Sequence, residues 1–323
     1  SAVAGTYNFG PGSITGSTGA AFNVTGGAAV LTYTGSITQT TAAQALVNVA
    51  GTHTGTLTFS GALSASNGTG LQFTDADGTY NFNGTTTLAG GDAGIDILNG
   101  SAGSFTFGSG TTITNPAGTA FNVDGTTSAV TANITYAGTI TQNTAAQRWI
   151  NINTYNTGTI SFTGLPSAYT GTTGSTGVNL NAVNGNVTFS NGLTLGSTGA
   201  RMTATPLTIT GGTGTYNFNA LNLYTAGVTA LIATNADGTI NTTSGTVDAT
   251  GATAINISGP AGITTLGVTL TTVNSTAGAN NVFLTNCGGT AALGTGTLSG
   301  ATGNAFDVTG GNAAVTYAGT ITN

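Results

Sequence analysis

Apolar–polar–apolar triplets recur along the chain. They run Phe22-Asn23-Val24, Val47-Asn48-Val49, Leu71-Gln72-Phe73, Ile95-Asp96-Ile97, Phe121-Asn122-Val123, Ile150-Asn151-Ile152 and Val178-Asn179-Leu180. The series weakens at Met202-Thr203-Ala204 and Leu231-Ile232-Ala233, then recovers at Ile255-Asn256-Ile257, Val282-Phe283-Leu284 and Phe306-Asp307-Val308. Successive triplets stand 24 to 29 residues apart. Alternation over so few residues is the mark of a short strand with one buried face.

A second alternating segment follows each triplet: Leu31-Thr32-Tyr33, Leu57-Thr58-Phe59, Tyr80-Asn81-Phe82, Phe105-Thr106-Phe107, Ile134-Thr135-Tyr136, Ile160-Ser161-Phe162 and Val187-Thr188-Phe189. A third carries Ile37, Leu63, Leu88, Ile113, Ile140 and Leu165. Gly, Asn and Ser bound each segment. A near-constant period with three strands per period predicts an all-β fold, a parallel β-helix (solenoid) of about 12–13 coils. Each coil stacks on the next at the ~4.8 Å strand spacing. The aromatics at 33, 59, 82, 107, 136, 162 and 189 then form one inward column. Asn23 and its counterparts face outward between inward flanks. Longer echoes, such as Gly-Thr-Tyr-Asn-Phe at 5–9, 78–82 and 214–218, look like duplications inside one array, so residues 1–323 read as one continuous solenoid.

Composition sharpens this picture. Charged residues are 3% of the chain, with 2 basic and 8 acidic side chains, one His, 54 glycines and a net charge of −6. Thr, Gly, Asn and Ser disfavour helix, and only a stretch such as Thr144–Trp149 has room for a short turn. Apolar residues at 38% supply the burial that disordered chains lack. The lone Cys287 excludes an internal disulfide. The scarcity of Arg and Lys argues against nucleic acid, and no apolar run reaches the ~18 residues of a membrane span.

The triplets, the coil length and the Gly/Thr/Asn corners resemble the parallel β-helix stalks of large bacterial surface proteins, filamentous-haemagglutinin-like adhesins and autotransporter passengers. The resemblance is one of architecture and composition. It implies a right-handed coil and an extracellular or cell-surface structural module: adhesin stalk, surface fibre or self-assembling filament unit. Two alternatives stand beside it. One is an ice-binding solenoid using outward Thr ladders, as at Thr-Ile-Thr 112–114, 139–141 and 320–322. Against it, the matching positions read as Ala62 and Ser64, then Thr87 and Ala89, then Thr297 and Ser299. The other is a polysaccharide-binding or polysaccharide-cleaving β-helix protein.

Candidate chemistry is sparse, and the chain is expected to be non-enzymatic, without metal or cofactor. Asp75 and Asp77 are the one close acidic pair, and Thr74-Asp75-Ala76-Asp77-Gly78 reads as a turn. His53 reads as a solvated corner residue. Zinc needs several His or Cys ligands, and the chain has one of each. Arg148 and Trp149, beside Gln147, are the candidate glycan contact: an indole to stack on a sugar and a guanidinium to hydrogen-bond it. The other reading is a wider coil whose loop shields the core, favoured by the 29-residue step there. The Asn ladder has two readings, a grip on polysaccharide or amide pairing between coils.

Both ends of the sequence fall inside a coil. The expectation is a segment of a longer array or end-to-end association, since an uncapped solenoid exposes open strand edges.

Overall fold

The computed structural model describes residues 4–164, 175–259 and 264–322. Leu165 and Asn323 fall outside them. The chain forms two compact units, Ser1–Pro166 and Ser167–Asn323. Each is a parallel β-solenoid with three strands per coil, and the two together make about 12 turns. Among the described residues there is no helix.

In unit 1 the triplet strands pair in the register the sequence implies. Phe22 lies opposite Val47, Val47 opposite Leu71, Leu71 opposite Ile95, Ile95 opposite Phe121 and Phe121 opposite Ile150. The middle strands form a second ladder, Leu31–Leu57–Tyr80–Phe105–Ile134–Ile160. The third strands form a separate six-stranded sheet in each unit.

Unit 2 corrects one triplet. Val178 pairs with Leu207, and Leu207 with Leu231, so Leu207-Thr208-Ile209 is the rung and Met202-Thr203-Ala204 is not. Met202 instead makes an isolated bridge to Thr225. Leu207 and Ile209 supply two full-sized inward side chains, where Met202 and Ala204 would supply one and a methyl.

The aromatic column forms. Phe59 stacks on Phe82 at 5.1 Å and 11°, and Phe82 on Phe107 at 5.2 Å and 15°. Tyr136 and Phe162 continue it in tilted contacts. In unit 2 Phe189 stacks on Phe218 at 5.2 Å, but the next rungs in register are Thr242 and Val268. The loss of ring volume leaves a small apolar void against Leu231, Ile240, Leu266 and Ala291, too small for an organic ligand.

The third ladder of unit 1 differs from the sequence reading. Leu63 pairs with Thr86, so Ala65 pairs with Leu88. The inward apolars therefore occupy two columns, Ile37–Leu63–Thr86–Thr111 and Gln39–Ala65–Leu88–Ile113–Ile140. A two-residue slip keeps every side chain on its own face because the strand period is two. The pattern alone is blind to it. The outward column becomes Thr38–Ser64–Thr87–Thr112–Thr139, more regular than the sequence alignment.

The corner after the triplet is left-handed on many rungs. Asp75 (φ 55°), Asn99 (φ 30°), Thr154 (φ 52°), Ala182 (φ 50°), Asn235 (φ 52°) and Asn286 (φ 55°) occupy it. Asn and Asp tolerate this region. Other glycines are required for a different reason, close approach of backbones. A Cβ on Gly55 would stand 1.9 Å from the Ala29 carbonyl oxygen, and one on Gly61 would stand 1.8 Å from that of Gly35.

Candidate functional site

Trp149 and Arg148 begin the strand Arg148–Tyr155. Trp149 is fully buried and Arg148 is half-buried. The indole lies in the core, with no open face for a sugar. The position just before a triplet holds small residues on most rungs, such as Gly70, Gly94 and Ala120. It holds large ones only at Leu46 and Trp149 in unit 1. Both follow the same segment, Thr38-Gln39-Thr40-Thr41-Ala42-Ala43-Gln44 and Thr141-Gln142-Asn143-Thr144-Ala145-Ala146-Gln147. In each, a buried glutamine ties the loop down. Gln39 Nε2 donates to Gly19 O at 2.7 Å and Gln142 Nε2 to Gly118 O at 2.9 Å, while their Oε1 atoms accept from Thr41 and Thr144 N–H at 3.0 Å. Sequence reasoning missed these glutamines, although the repeated Thr-Gln-x-Thr-Ala-Ala-Gln string was available as a signal.

His53 is a correction: it is buried. Nε2 donates to Ala29 O at 3.1 Å, one coil away, so the neutral ring carries its proton there. Nδ1 faces Tyr80 Oη at 3.1 Å, and that hydroxyl donates to His53 O at 2.9 Å and accepts from Gly78 N–H at 3.0 Å. The residue sits inside because Ala29 O takes the Nε2 proton and the Tyr80 hydroxyl lies against Nδ1, its single hydrogen shared between Nδ1 and His53 O. Burial pulls the imidazole below its ordinary range, against the opposing bond to Ala29 O, and pushes the Tyr80 phenol up to about 12. A depressed histidine favours its neutral form in the fold. Its contribution is whole above the unfolded value of ~6.5 and is lost as pH falls through the folded value. Unfolding midpoints should therefore drop on acidification below about pH 6.5 in the native protein and less so in His53→Gln. Equal pH slopes for the two would contradict this.

The acids serve as turn residues or partners in bonds between coils. Asp75 occupies a left-handed corner, and Asp77 Oδ1 accepts Ala102 N–H at 3.1 Å, as a turn residue does. Asp248 pairs with Arg201 at 2.8 Å across two coils, and Arg201 also donates to Thr225 O and Asp248 O. Among the described residues no group of three or more His, Cys, Asp or Glu is placed to hold a metal. Cys287 is buried, and burial pushes its thiol up to about 11 despite a contact with Thr285 O. A thiol held protonated and enclosed is a poor nucleophile. Ellman's reagent should leave the native protein unreacted and titrate one thiol in denaturant; rapid native labelling would refute this.

What the outer faces do present is ladders of amides and hydroxyls with a few carboxylates among them. In unit 1, Asn48 Nδ2 donates to Asn23 Oδ1 at 2.7 Å. Asn151 Nδ2 donates to Asn122 Oδ1, and Asn122 Nδ2 to Asp96 Oδ1, both at 2.9 Å. Gln72 Nε2 reaches Asp96 Oδ2 at 2.6 Å. Asp96 is the sink of the row. Burial raises its carboxyl above the usual range, the bonds from Asn122 and Gln72 pull it back, and Asp92 and Asp124 push it further up. Amide pairing between coils is thus the geometry of these side chains. The middle sheet carries an outward row of its own, Thr32–Thr58–Asn81–Thr106–Thr135–Ser161.

In unit 2 the corresponding face of the middle sheet opens into a groove of about 360 Å³ lined by Thr188, Ser190, Asn217, Asn219, Asn241 and Thr243, with Phe189 and Phe218 beneath. No charged residue lines it. A comparison with protein-family models, curated proteins and solved structures finds no match to this chain.

Proposed function

We propose that this chain is a non-catalytic structural module of an extracellular or cell-surface protein, a stalk, fibre or adhesive spacer. The observation that carries this reading is the outer surface itself. Its polar side chains, mostly amides and hydroxyls, are spent on their counterparts one coil away, as in the row Asn151–Asn122–Asp96–Gln72, where three amides meet one carboxylate. Such rows lock successive coils together, and they add little net charge. Titratable groups serve the same end: His53 joins coils through Ala29 and Tyr80, and Asp248 joins them through Arg201. Two measurements test the reading. Incubation with neutral and acidic polysaccharides should release no new reducing ends, and sustained turnover would overturn it. Antibodies should label intact source cells, and labelling confined to the cell interior would overturn the placement.

A second reading, ice binding, has an observation of its own. The slipped register aligns the hydroxyl column Thr38–Ser64–Thr87–Thr112–Thr139 on the third sheet of unit 1. Thermal hysteresis at micromolar protein would support it, and its absence would dismiss it.

A further inference from the structure

The groove of unit 2 is built from two rows of side chains. The first runs along the middle sheet, Thr188 opposite Asn217, Asn217 opposite Asn241, Asn241 opposite Gly267. Its bonds point one way: Asn217 Nδ2 donates to Thr188 Oγ1 at 3.3 Å, and Asn241 Nδ2 to Asn217 Oδ1 at 2.8 Å. The row stops at Gly267, which has no side chain to donate to Asn241 Oδ1. A Cβ at 267 would stand only 2.2 Å from that oxygen. Glycine here keeps a carboxamide oxygen open, with its plane already held by the bond to Asn217. The second row forms the rim. Thr243 Oγ1 donates toward Asn219, with the Asn219 carbonyl oxygen and Oδ1 both in reach; Asn219 is exposed, and with Oδ1 engaged its amide nitrogen is the group it has to offer a ligand.

We propose that this groove binds a short neutral oligosaccharide, with Asn241 Oδ1 accepting from, and Asn219 Nδ2 donating to, hydroxyls of one sugar ring. The inference rests on the surface-module reading and gives it a ligand class and a place. Its volume of about 360 Å³ is within the range of small-ligand sites. The lining is uncharged, so a carboxylated sugar or a cationic ligand would lose hydration without a counter-charge. The sheet backbone beneath is already paired between coils, so an extended peptide finds no free edge to join. Sugar hydroxyls, which donate and accept at once, suit an acceptor at Asn241 and a donor at Asn219, which lies one coil and two residues away along the sheet.

The test titrates the whole chain by calorimetry with cellotetraose, maltotetraose and laminaritetraose, and with tetragalacturonate and an uncharged tetrapeptide for comparison. At least one neutral tetrasaccharide should bind, and the other two probes should not. Asn241→Ala and Asn217→Ala should weaken binding about tenfold or more, the loss of one well-placed hydrogen bond. Gly267→Asn adds an amide and should weaken binding to the same degree, because it displaces Asn241 Oδ1. Thr246→Ala, on the third sheet, should bind as the parent does and serves with circular dichroism as the folding control. The proposal is overturned if no neutral tetrasaccharide binds, if tetragalacturonate or the peptide binds in its place, or if Asn241→Ala and Gly267→Asn bind like the parent. New reducing ends during the titration would overturn the non-catalytic reading and leave the groove's ligand class standing.

Discussion

Replacing Phe82 with alanine is expected to destabilise unit 1 by about 3–5 kcal/mol, the range for emptying a buried phenylalanine site. Phe82 is fully buried and lies between two stacked rings, Phe59 at 5.1 Å and Phe107 at 5.2 Å, with Phe73 edge-on at 5.9 Å. A solenoid has little freedom to close such a hole. The backbone rungs above and below are fixed at the strand spacing by the pairs Phe82–Phe59 and Phe82–Phe107, so neighbouring rings cannot move together without breaking ladder bonds. The lost contacts go uncompensated, and the stacking contribution of ~0.5–1.5 kcal/mol per ring pair goes with them. Because each coil contacts only its neighbours, the damage should be local. Amide exchange should accelerate in the strands carrying Phe59, Phe82 and Phe107 well before those around Ile150. Uniform acceleration, or a urea midpoint unchanged in the variant, would count against this account.

The second large effect is expected from one methyl group. Gly61→Ala places a Cβ 1.8 Å from Gly35 O, 2.6 Å from Gly35 C and 2.6 Å from Thr34 O. All three atoms are backbone, so no rotamer change relieves the overlap. The coils must separate at that corner, where Ser60 N–H donates to Tyr33 O at 3.0 Å. We expect a cost of about 3 kcal/mol, the upper end for forced overpacking, against a gain of at most ~1 kcal/mol from a stiffer unfolded chain. Gly19→Ala is the comparison, since nothing lies within 4 Å of its Cβ position. That variant should be neutral or slightly stabilised. Equal melting temperatures for Gly61→Ala and Gly19→Ala would show that the corner yields without cost.

These two sites divide what the sequence determined from what tertiary structure decided. Phe82 was legible. Its column, the outward Asn23, Asn48, Asn122 and Asn151, and the three strands per coil all follow from period-two alternation repeated at a coil-length spacing. Both signals are local, and strand geometry turns them directly into inside and outside. Gly61 was legible only as a corner. That it needs glycine for contact with Gly35 O depends on how close two coils come, which no single coil encodes. The same limit explains the two-residue slip that sets Leu63 against Thr86: alternation fixes the face of a side chain and leaves the register free by even steps. The choice of Leu207 over Met202 was settled by packing, since Leu207 and Ile209 fill the rung between Val178 and Leu231. His53 and Trp149 were misplaced or ambiguous for a related reason. A polar side chain is buried when partners from other coils meet it, and Ala29 O and Tyr80 Oη lie 24 and 27 residues from His53 in sequence. The groove of unit 2 was invisible for the strongest form of that reason. Its open acceptor exists because Gly267, one coil beyond Asn241, has no side chain, and only stacking brings that absence to bear.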